Sequence, residues 1–265
     1  MTPSHTLMRD GLALAGYDVG DGPPVILQHG LGGDEAQVAE AFPGNGVRRL
    51  TLECRSHGAS ARGDRFSIAM FADDVLAFAD ARGVQRFAIG GISMGAAIAA
   101  RIAVIAPDRV TALILVRPAW RTEASPSNMQ AFETVSRFLA SGDKAGFAAS
   151  DVARTYALHA PDNLASLNKF FDSADPENTS LLLSSIAADG PGITEAQLRA
   201  LSVPALVIGN AMDLVHPLAS ARHLGALIPR AAFLDITPKA QDKPRHLAEL
   251  RAAITAFLQH QGLAS

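Results

Sequence analysis

Cysteine occurs once in this 265-residue chain, at Cys54. A single thiol excludes an intramolecular disulfide and a cysteine-built metal cluster, and it fits a reducing compartment. Charge is sparse: 18% of residues are charged and the formal net charge is −3. That balance speaks against the basic footprint of a nucleic-acid binder and against an acidic solvating tail. Long apolar runs are missing too. No stretch approaches the roughly 20 residues that span a bilayer, and residues 1–24 lack the charged-then-apolar order of a secretion signal. His29, His57, His159 and His223 are scattered without carboxylates at ligand spacing, so no metal is expected, and no cofactor either. The expectation is a cytoplasmic protein with small-molecule partners, no nucleic acid and no membrane.

What the chain has in quantity is apolar residues, 48% of the total, enough to fill the core of one large domain. Short β-type runs at 12–19, 25–28, 47–53, 87–90, 111–116, 205–209 and 232–236 alternate with helical patterns at 68–81, 94–106, 217–227 and 246–259. This rhythm predicts an α/β fold, a mostly parallel central sheet with helices on both faces. The turn at 20–24 is too short for a crossover helix, so runs 12–19 and 25–28 are expected to form an antiparallel hairpin. Between 121 and 200 the periodicity is helical throughout, with helices predicted at 127–140, 144–159 and 177–188. Ser-Gly-Asp, Pro-Asp-Asn and Asp-Pro signals separate them. The predicted organisation is a core of 1–120 and 201–265, with an inserted helical cap, or lid, at 121–200.

The strongest chemical signal is Gly91-Ile92-Ser93-Met94-Gly95, placed where an apolar run gives way to a helical pattern. A serine on a tight strand-to-helix turn sits in a strained conformation that only small neighbours permit, with its hydroxyl standing clear. Serine is a weak nucleophile by itself and needs a base and a group that orients the base. Asp213, just beyond run 205–209, is the candidate carboxylate; the competing reading is an N-cap for the helix that follows. Gln28-His29-Gly30-Leu31-Gly32-Gly33 is the second signal. Its glycines let backbone amides approach a ligand, and the Leu31 and Met94 amides are the candidate oxyanion donors. A dinucleotide loop would need glycine where Glu35 stands. Arg117 and Trp120 follow run 111–116 at the carboxyl edge of the sheet, where one offers a clamp for a substrate carboxylate and the other a flat wall. A lid hinge with a solvated guanidinium is the alternative.

Together these motifs resemble the α/β-hydrolase superfamily across the whole core. His29-Gly30 looks like its oxyanion-loop signature, which makes His29 a further substrate-binding candidate. Arg55-Ser56-His57-Gly58-Ala59-Ser60 resembles the family turn after the third core strand, with Glu53 in place of the usual aspartate and Ser56 in place of the usual glycine. His57 is expected to be structural there. Relatives carry the catalytic histidine on a loop soon after the last strand, but 237–242 holds none. His246, a few positions later, is the expected base, and His216 is held in reserve. The resemblance implies a serine hydrolase that cleaves a small ester or lactone through Ser93, His246 and Asp213 by way of an acyl-enzyme. Carbon-carbon bond hydrolysis, a ligand-receptor role with little turnover and a cofactor-free peroxidase-like activity stay open as alternatives.

Overall fold

Burial along the strands tells the edge of the sheet from its centre. In β1 (His5–Arg9) every second side chain is exposed, whereas β5 (Phe87–Ile92) and β6 (Val110–Val116) are buried almost throughout, as strands covered on both faces must be. The computed structural model describes residues 2–42, 44 and 46–264. With β2 (Leu12–Val19), β3 (Pro24–Gln28), β4 (Arg48–Leu52), β7 (Ala205–Gly209) and β8 (Ala231–Asp235), these strands form one eight-stranded sheet in the order β1-β2-β4-β3-β5-β6-β7-β8. From β4 to β8 every neighbouring pair is parallel.

The expected hairpin between 12–19 and 25–28 is not formed. β2 pairs antiparallel with β1 on one side and with β4 on the other, and β3 lies beyond β4. The real hairpin is β1-β2, closed by Asp10 and Gly11 at φ 49° and 80°, the positive-φ pair that a two-residue turn requires. The signal was Asp-Gly between alternating apolar residues.

Helices cover both faces. α2 (Ile68–Ala81), α3 (Met94–Ile105) and α10 (Leu218–Leu227) pack with the larger apolar cluster, while α1 (Glu35–Ala41) and α11 (Lys243–His260) pack with the smaller one. Ser67 starts α2 by accepting a hydrogen bond from the Met70 amide, the usual satisfaction of an orphan first-turn donor.

Between β6 and β7 the chain forms α4 (Gln130–Ala140), α5 (Lys144–Ala148), α6 (Asp151–His159), α7 (Pro161–Asn168), α8 (Pro176–Ala188) and α9 (Glu195–Arg199), with no strand among the described residues. The helix expected over 144–159 is broken in two because Ser150 caps α6 with its hydroxyl. The Pro-Asp-Asn expected to be a break instead opens α7, with Pro161 in the first turn, where its missing N–H costs nothing. This segment is tied to the core by the Arg62–Asp175 ion pair, by Asn178 Nδ2 donating to the Gly63 carbonyl at 2.7 Å and by the Ile68 amide donating to Asp189 Oδ2 at 2.6 Å. Among the described residues no helix is long and apolar enough to cross a membrane.

Candidate active site

Ser93 stands between β5 and α3 at φ 57°, ψ −112°, a region that non-glycine residues avoid. Its amide donates to the Val116 carbonyl at 3.0 Å and its carbonyl accepts from Ala96, so the backbone is pinned on both sides while Oγ has no hydrogen bond within the described residues. Holding such a conformation costs about 1–3 kcal/mol and is found where function requires it. The hydroxyl opens on a cavity of about 510 Å³ between the carboxyl ends of the strands and the helices that follow β6. A volume in this range accommodates a small organic ligand.

The loop after β3 forms the adjoining wall. A Cβ built on Gly30 would sit 3.4 Å from the Ser93 Cβ, so the two chain segments run in contact. The Gly30 amide donates to Gln37 Oε1 at 2.7 Å and the Gly33 amide donates to the Gly30 carbonyl at 2.9 Å, which closes the loop onto α1. Neither the Leu31 amide nor the Met94 amide donates to an acceptor within the described residues; Leu31 lines the cavity and Met94 opens α3.

Opposite lies Asp213, beyond β7. His216 Nδ1 is 2.9 Å from both of its oxygens, and the His216 backbone amide also donates to Oδ1 at 2.9 Å. Arg117 donates through Nε at 2.9 Å and Nη2 at 2.5 Å to Oδ2. Burial opposes the charge on Asp213, but the adjacent His216 and Arg117 outweigh it and hold the carboxyl well below the usual carboxylate range. With an ionised acceptor beside Nδ1, the imidazole proton is assigned to Nδ1, which leaves the lone pair on Nε2. Nε2 is buried without a partner among the described residues, and His216 lines the same cavity as Ser93. Burial lowers the His216 pKa, the pull of Asp213 opposes that, and Arg117 adds to the lowering.

His246 is placed otherwise than expected. It is buried in the first turns of α11, and its Nδ1 is 2.8 Å from the Thr237 carbonyl, not from Asp213. Burial also lowers its pKa. The structural reason is the short path from β8 to α11: Asp242 caps the helix and Pro244 enters its first turn, so position 246 is committed to helix.

Two further expectations are corrected. Trp120 lies in the core, 2% exposed, with Nε1 donating to the Asp189 carbonyl at 2.9 Å, and it does not line the cavity. His29 is completely buried: Nδ1 donates to the Gly30 carbonyl at 2.8 Å and Nε2 accepts from the Cys54 amide at 3.0 Å, so neither ring nitrogen is left for a ligand. Arg117 does reach the cavity, but its guanidinium is neither solvated nor free, being turned onto Asp213. His57 is structural in its contacts, with Nδ1 at 2.9 Å from the Arg55 carbonyl.

Several residues that shape the site carried no sequence signal. Asn163, in the first turn of α7 and 4% exposed, accepts from the Leu214 and Val215 amides at 2.9 and 3.2 Å. Asn128 donates to the Ala119 and Val215 carbonyls, so two side chains of the inserted helical segment grip the loop that carries Asp213 and His216. Lys169, Lys239 and Lys243 bring cations to the cavity wall, with Lys239 paired to Asp162 and Lys243 to Glu40.

Comparison with known proteins agrees with this architecture. Residues 23–240 match the family model described as the alpha/beta hydrolase fold. A putative carbamate hydrolase, RutD, of Klebsiella pneumoniae (strain 342) is 28% identical over 228 residues, covering 78% of this chain and 80% of that protein. The RutD of Caulobacter sp. (strain K31) is 28% identical over 241 residues, 86% of this chain and 88% of its own length. Among solved structures, the enol-lactonase from Burkholderia xenovorans LB400 superposes with a TM-score of 0.73 at 21% identity, over 98% of this chain and 99% of that one. A meta-cleavage product hydrolase from Pseudomonas fluorescens IP01 gives 0.70 at 19%, over 96% and 98%. With a family model spanning most of its length and a serine on the strained turn between β5 and α3, the chain belongs to the α/β-hydrolase family.

Proposed function

We propose that the protein is a serine hydrolase that cleaves a small ester or lactone, with Ser93 as nucleophile, His216 as base and Asp213 as the group that orients the base. The observation that carries this reading is the Asp213–His216 contact at 2.9 Å, which leaves Nε2 without a partner among the described residues on an imidazole that lines the cavity onto which Ser93 opens. Asp213 and His216 are three residues apart on one loop, so the pair is assembled locally, without a histidine from the β8-α11 connection.

In this mechanism the Ser93 hydroxyl attacks the acyl carbon while its proton passes to His216 Nε2, and Asp213 stabilises the resulting imidazolium. The amides of Leu31 and Met94 donate to the oxyanion of the tetrahedral intermediate. Collapse of that intermediate breaks the bond to the leaving group, which takes the proton from Nε2. Water then enters with His216 again as base, and the acyl group leaves Ser93 as an acid. The helices between β6 and β7 act as the lid that bounds the cavity and limits substrate size. Lys169, Lys239 and Lys243 in the wall make a substrate bearing a negative charge the favoured kind, Arg117 being committed to Asp213.

The test is labelling with a fluorophosphonate and turnover of an ester, lactone, carbamate and dienoate panel by the wild type and by Ser93→Ala, His216→Asn and His246→Asn. Ester or lactone turnover lost at least about a thousandfold in the first two, and changed by less than about tenfold in the third, is the expected pattern. Loss in His246→Asn with activity retained in His216→Asn would move the base to α11.

A further inference from the structure

Arg117, like the nucleophile and like Ser56 in the same cavity wall, is a non-glycine residue held at positive φ. It follows β6 directly at φ 47°, and its amide donates to the Ile208 carbonyl of β7 at 2.7 Å. A long side chain is thereby turned off the end of β6 toward the Asp213 loop, in a left-handed conformation that β-carbon-bearing residues adopt only where the surroundings impose it. The side chain is only 12% exposed, and its guanidinium places both Nε and Nη2 on one oxygen of Asp213. Oδ1 is left to the backbone amide of His216, and the imidazole Nδ1 faces both oxygens. Nη2 is also 3.2 Å from that Nδ1.

We propose that Arg117 is a positioning residue for the Asp213–His216 pair, fixing the rotation of the carboxylate and standing as a permanent cation beside the imidazole, rather than a clamp for a substrate carboxylate. The inference rests on the reading of His216 as the base. A carboxylate held only by an imidazole is free to rotate; four donors from three directions are not compatible with rotation. The cation has a second effect. A positive charge in contact with a histidine disfavours the imidazolium, and by sharing the carboxylate it weakens the partner that would favour it. Both effects keep the ring in the unprotonated form that a base needs, at the cost of making the imidazolium harder to form during the reaction.

Other titratable groups surround the Asp213–His216 pair. Lys239, from the β8-α11 connection, is a second cation whose effect has the same sign, but it is paired with Asp162 of α7. Burial pushes the Tyr156 hydroxyl of α6 up to about 12, with the Asp213 carboxylate adding to it, so it stays uncharged near neutral pH. His246 of α11 is pushed toward the neutral form chiefly by burial, with Arg117 and Lys239 adding to it against the Thr237 carbonyl and Asp162. Arg117 is thus the cation in direct contact.

The experiment compares wild type, Arg117→Met and Arg117→Lys by the pH profile of kcat/KM, and by NMR titration of the histidine ring carbons in the Ser93→Ala background, which needs no turnover. Arg117→Met is expected to raise the pKa of His216, and with it the acidic limb of the profile, by about one pH unit or more. Arg117→Lys restores the wild-type limb while kcat stays several-fold low, since one ammonium cannot hold one oxygen through two donors. A limb and a ring titration that do not move in Arg117→Met overturn the proposal, as does a rise in KM confined to anionic substrates. If Arg117→Met does not fold, the lysine variant still decides: a His216 titration unchanged from wild type supports the role, and one displaced by a unit or more refutes it. Activity surviving in His216→Asn would instead bring down the choice of base, which the ring titration reports separately.

Discussion

Gly95 packs so closely on Gln28 that a Cβ built on it would lie 2.3 Å from the Gln28 carbonyl oxygen, a backbone atom that cannot swing aside. The same closeness recurs at the end of β5, where a Cβ on Gly91 would lie 2.3 Å from the carbonyl carbon of Gly95. These contacts press α3 against the ends of β3 and β5 and so set Ser93 beside the Leu31 loop. Gly95→Ala is expected to displace α3, lowering stability by about 2–3 kcal/mol through overpacking and reducing fluorophosphonate labelling at least tenfold. Gly63→Ala is the matched control, since its added methyl would meet only side-chain atoms at 3.4–3.5 Å. Equal stability and labelling in the two variants would refute the role given to the Gly95 contact.

Ser93 carries strain that its side chain does not relieve, because Oγ caps nothing. Alanine at the same position keeps a Cβ and so keeps the strain, whereas glycine accepts φ 57°. Against the gain of about 1–3 kcal/mol from removing a strained residue stands a loss of roughly 0.5–1 kcal/mol from the greater freedom of glycine in the unfolded chain. Ser93→Gly should therefore be the more stable of two inactive variants, by about 1 kcal/mol, in urea unfolding. A glycine variant less stable than the alanine variant would mean that the elbow is not strained.

Much of this site was legible from residues close together in sequence. The elbow, the glycine loop and Asp213 are local motifs, and each falls at the end of a strand in the fold, as their position after apolar runs predicted. What could not be read was which partner a side chain would find across space. Trp120 looked like a cavity wall because it follows β6, but an indole that can reach the Asp189 carbonyl is better buried. The base was sought on the β8-α11 connection because relatives carry it there. His216 lies three residues from Asp213, and a spacing of three brings an imidazole onto its carboxylate only when the intervening loop curls. That curl is held by Asn163 and Asn128, contributed from residues 51 and 87 positions away. Likewise β1 went unread because it is short and half-exposed, although its Asp-Gly turn was a local signal.

Two buried histidines give the fold an acid limit. Burial pushes His29 down to about 4, and burial together with the neighbouring His29 ring pushes His57 down to about 3. Both rings are lowered relative to the unfolded value near 6.5, so the native state binds fewer protons than the unfolded chain below that pH. Their contribution to stability is intact above pH 6.5 and is lost as the pH falls toward 4 and 3, at about 1.4 kcal/mol per pH unit for each ring. Urea unfolding at pH 6.5, 5.5 and 4.5 should show this slope, and His57→Gln should remove about one proton from it. A free energy of unfolding that stays level across this range contradicts the assignment.

Glu53 replaces a shorter acid with one that reaches three donors: the Tyr17 hydroxyl at 3.3 Å, the Glu35 amide at 3.0 Å and the Ala59 amide at 2.6 Å. It fills the space over Gly58, where a Cβ would fall 2.2 Å from the carboxylate, so the extra methylene and the glycine at φ 54° belong together. Glu53→Ala leaves the buried Glu35 amide and the Tyr17 hydroxyl unpaired and frees the more exposed Ala59 amide, an expected loss of about 2–4 kcal/mol. Glu53→Asp retains the charge but not the reach and should fall between. A substitution by aspartate as stable as wild type would show that the turn readily relaxes around the shorter acid.

Asn163 offers the sharpest test of whether the helices after β6 do more than cover the cavity. Its side-chain oxygen takes the two amides, Leu214 and Val215, that lie between Asp213 and His216, so it holds the turn that lays the imidazole on the carboxylate. Leucine at this position keeps the volume and removes the acceptor, leaving both amides short of a partner at a cost of about 1–3 kcal/mol each where they stay buried. Aspartate restores an acceptor. Asn163→Leu is expected to lower kcat by ten- to a hundredfold with a smaller change in KM, because the substrate still finds the cavity but the base is misplaced, and Asn163→Asp should recover most of the loss. The opposite split, with KM raised and kcat unchanged, would mean that α7 serves only to bound the cavity and that the Asp213 loop keeps its shape unaided.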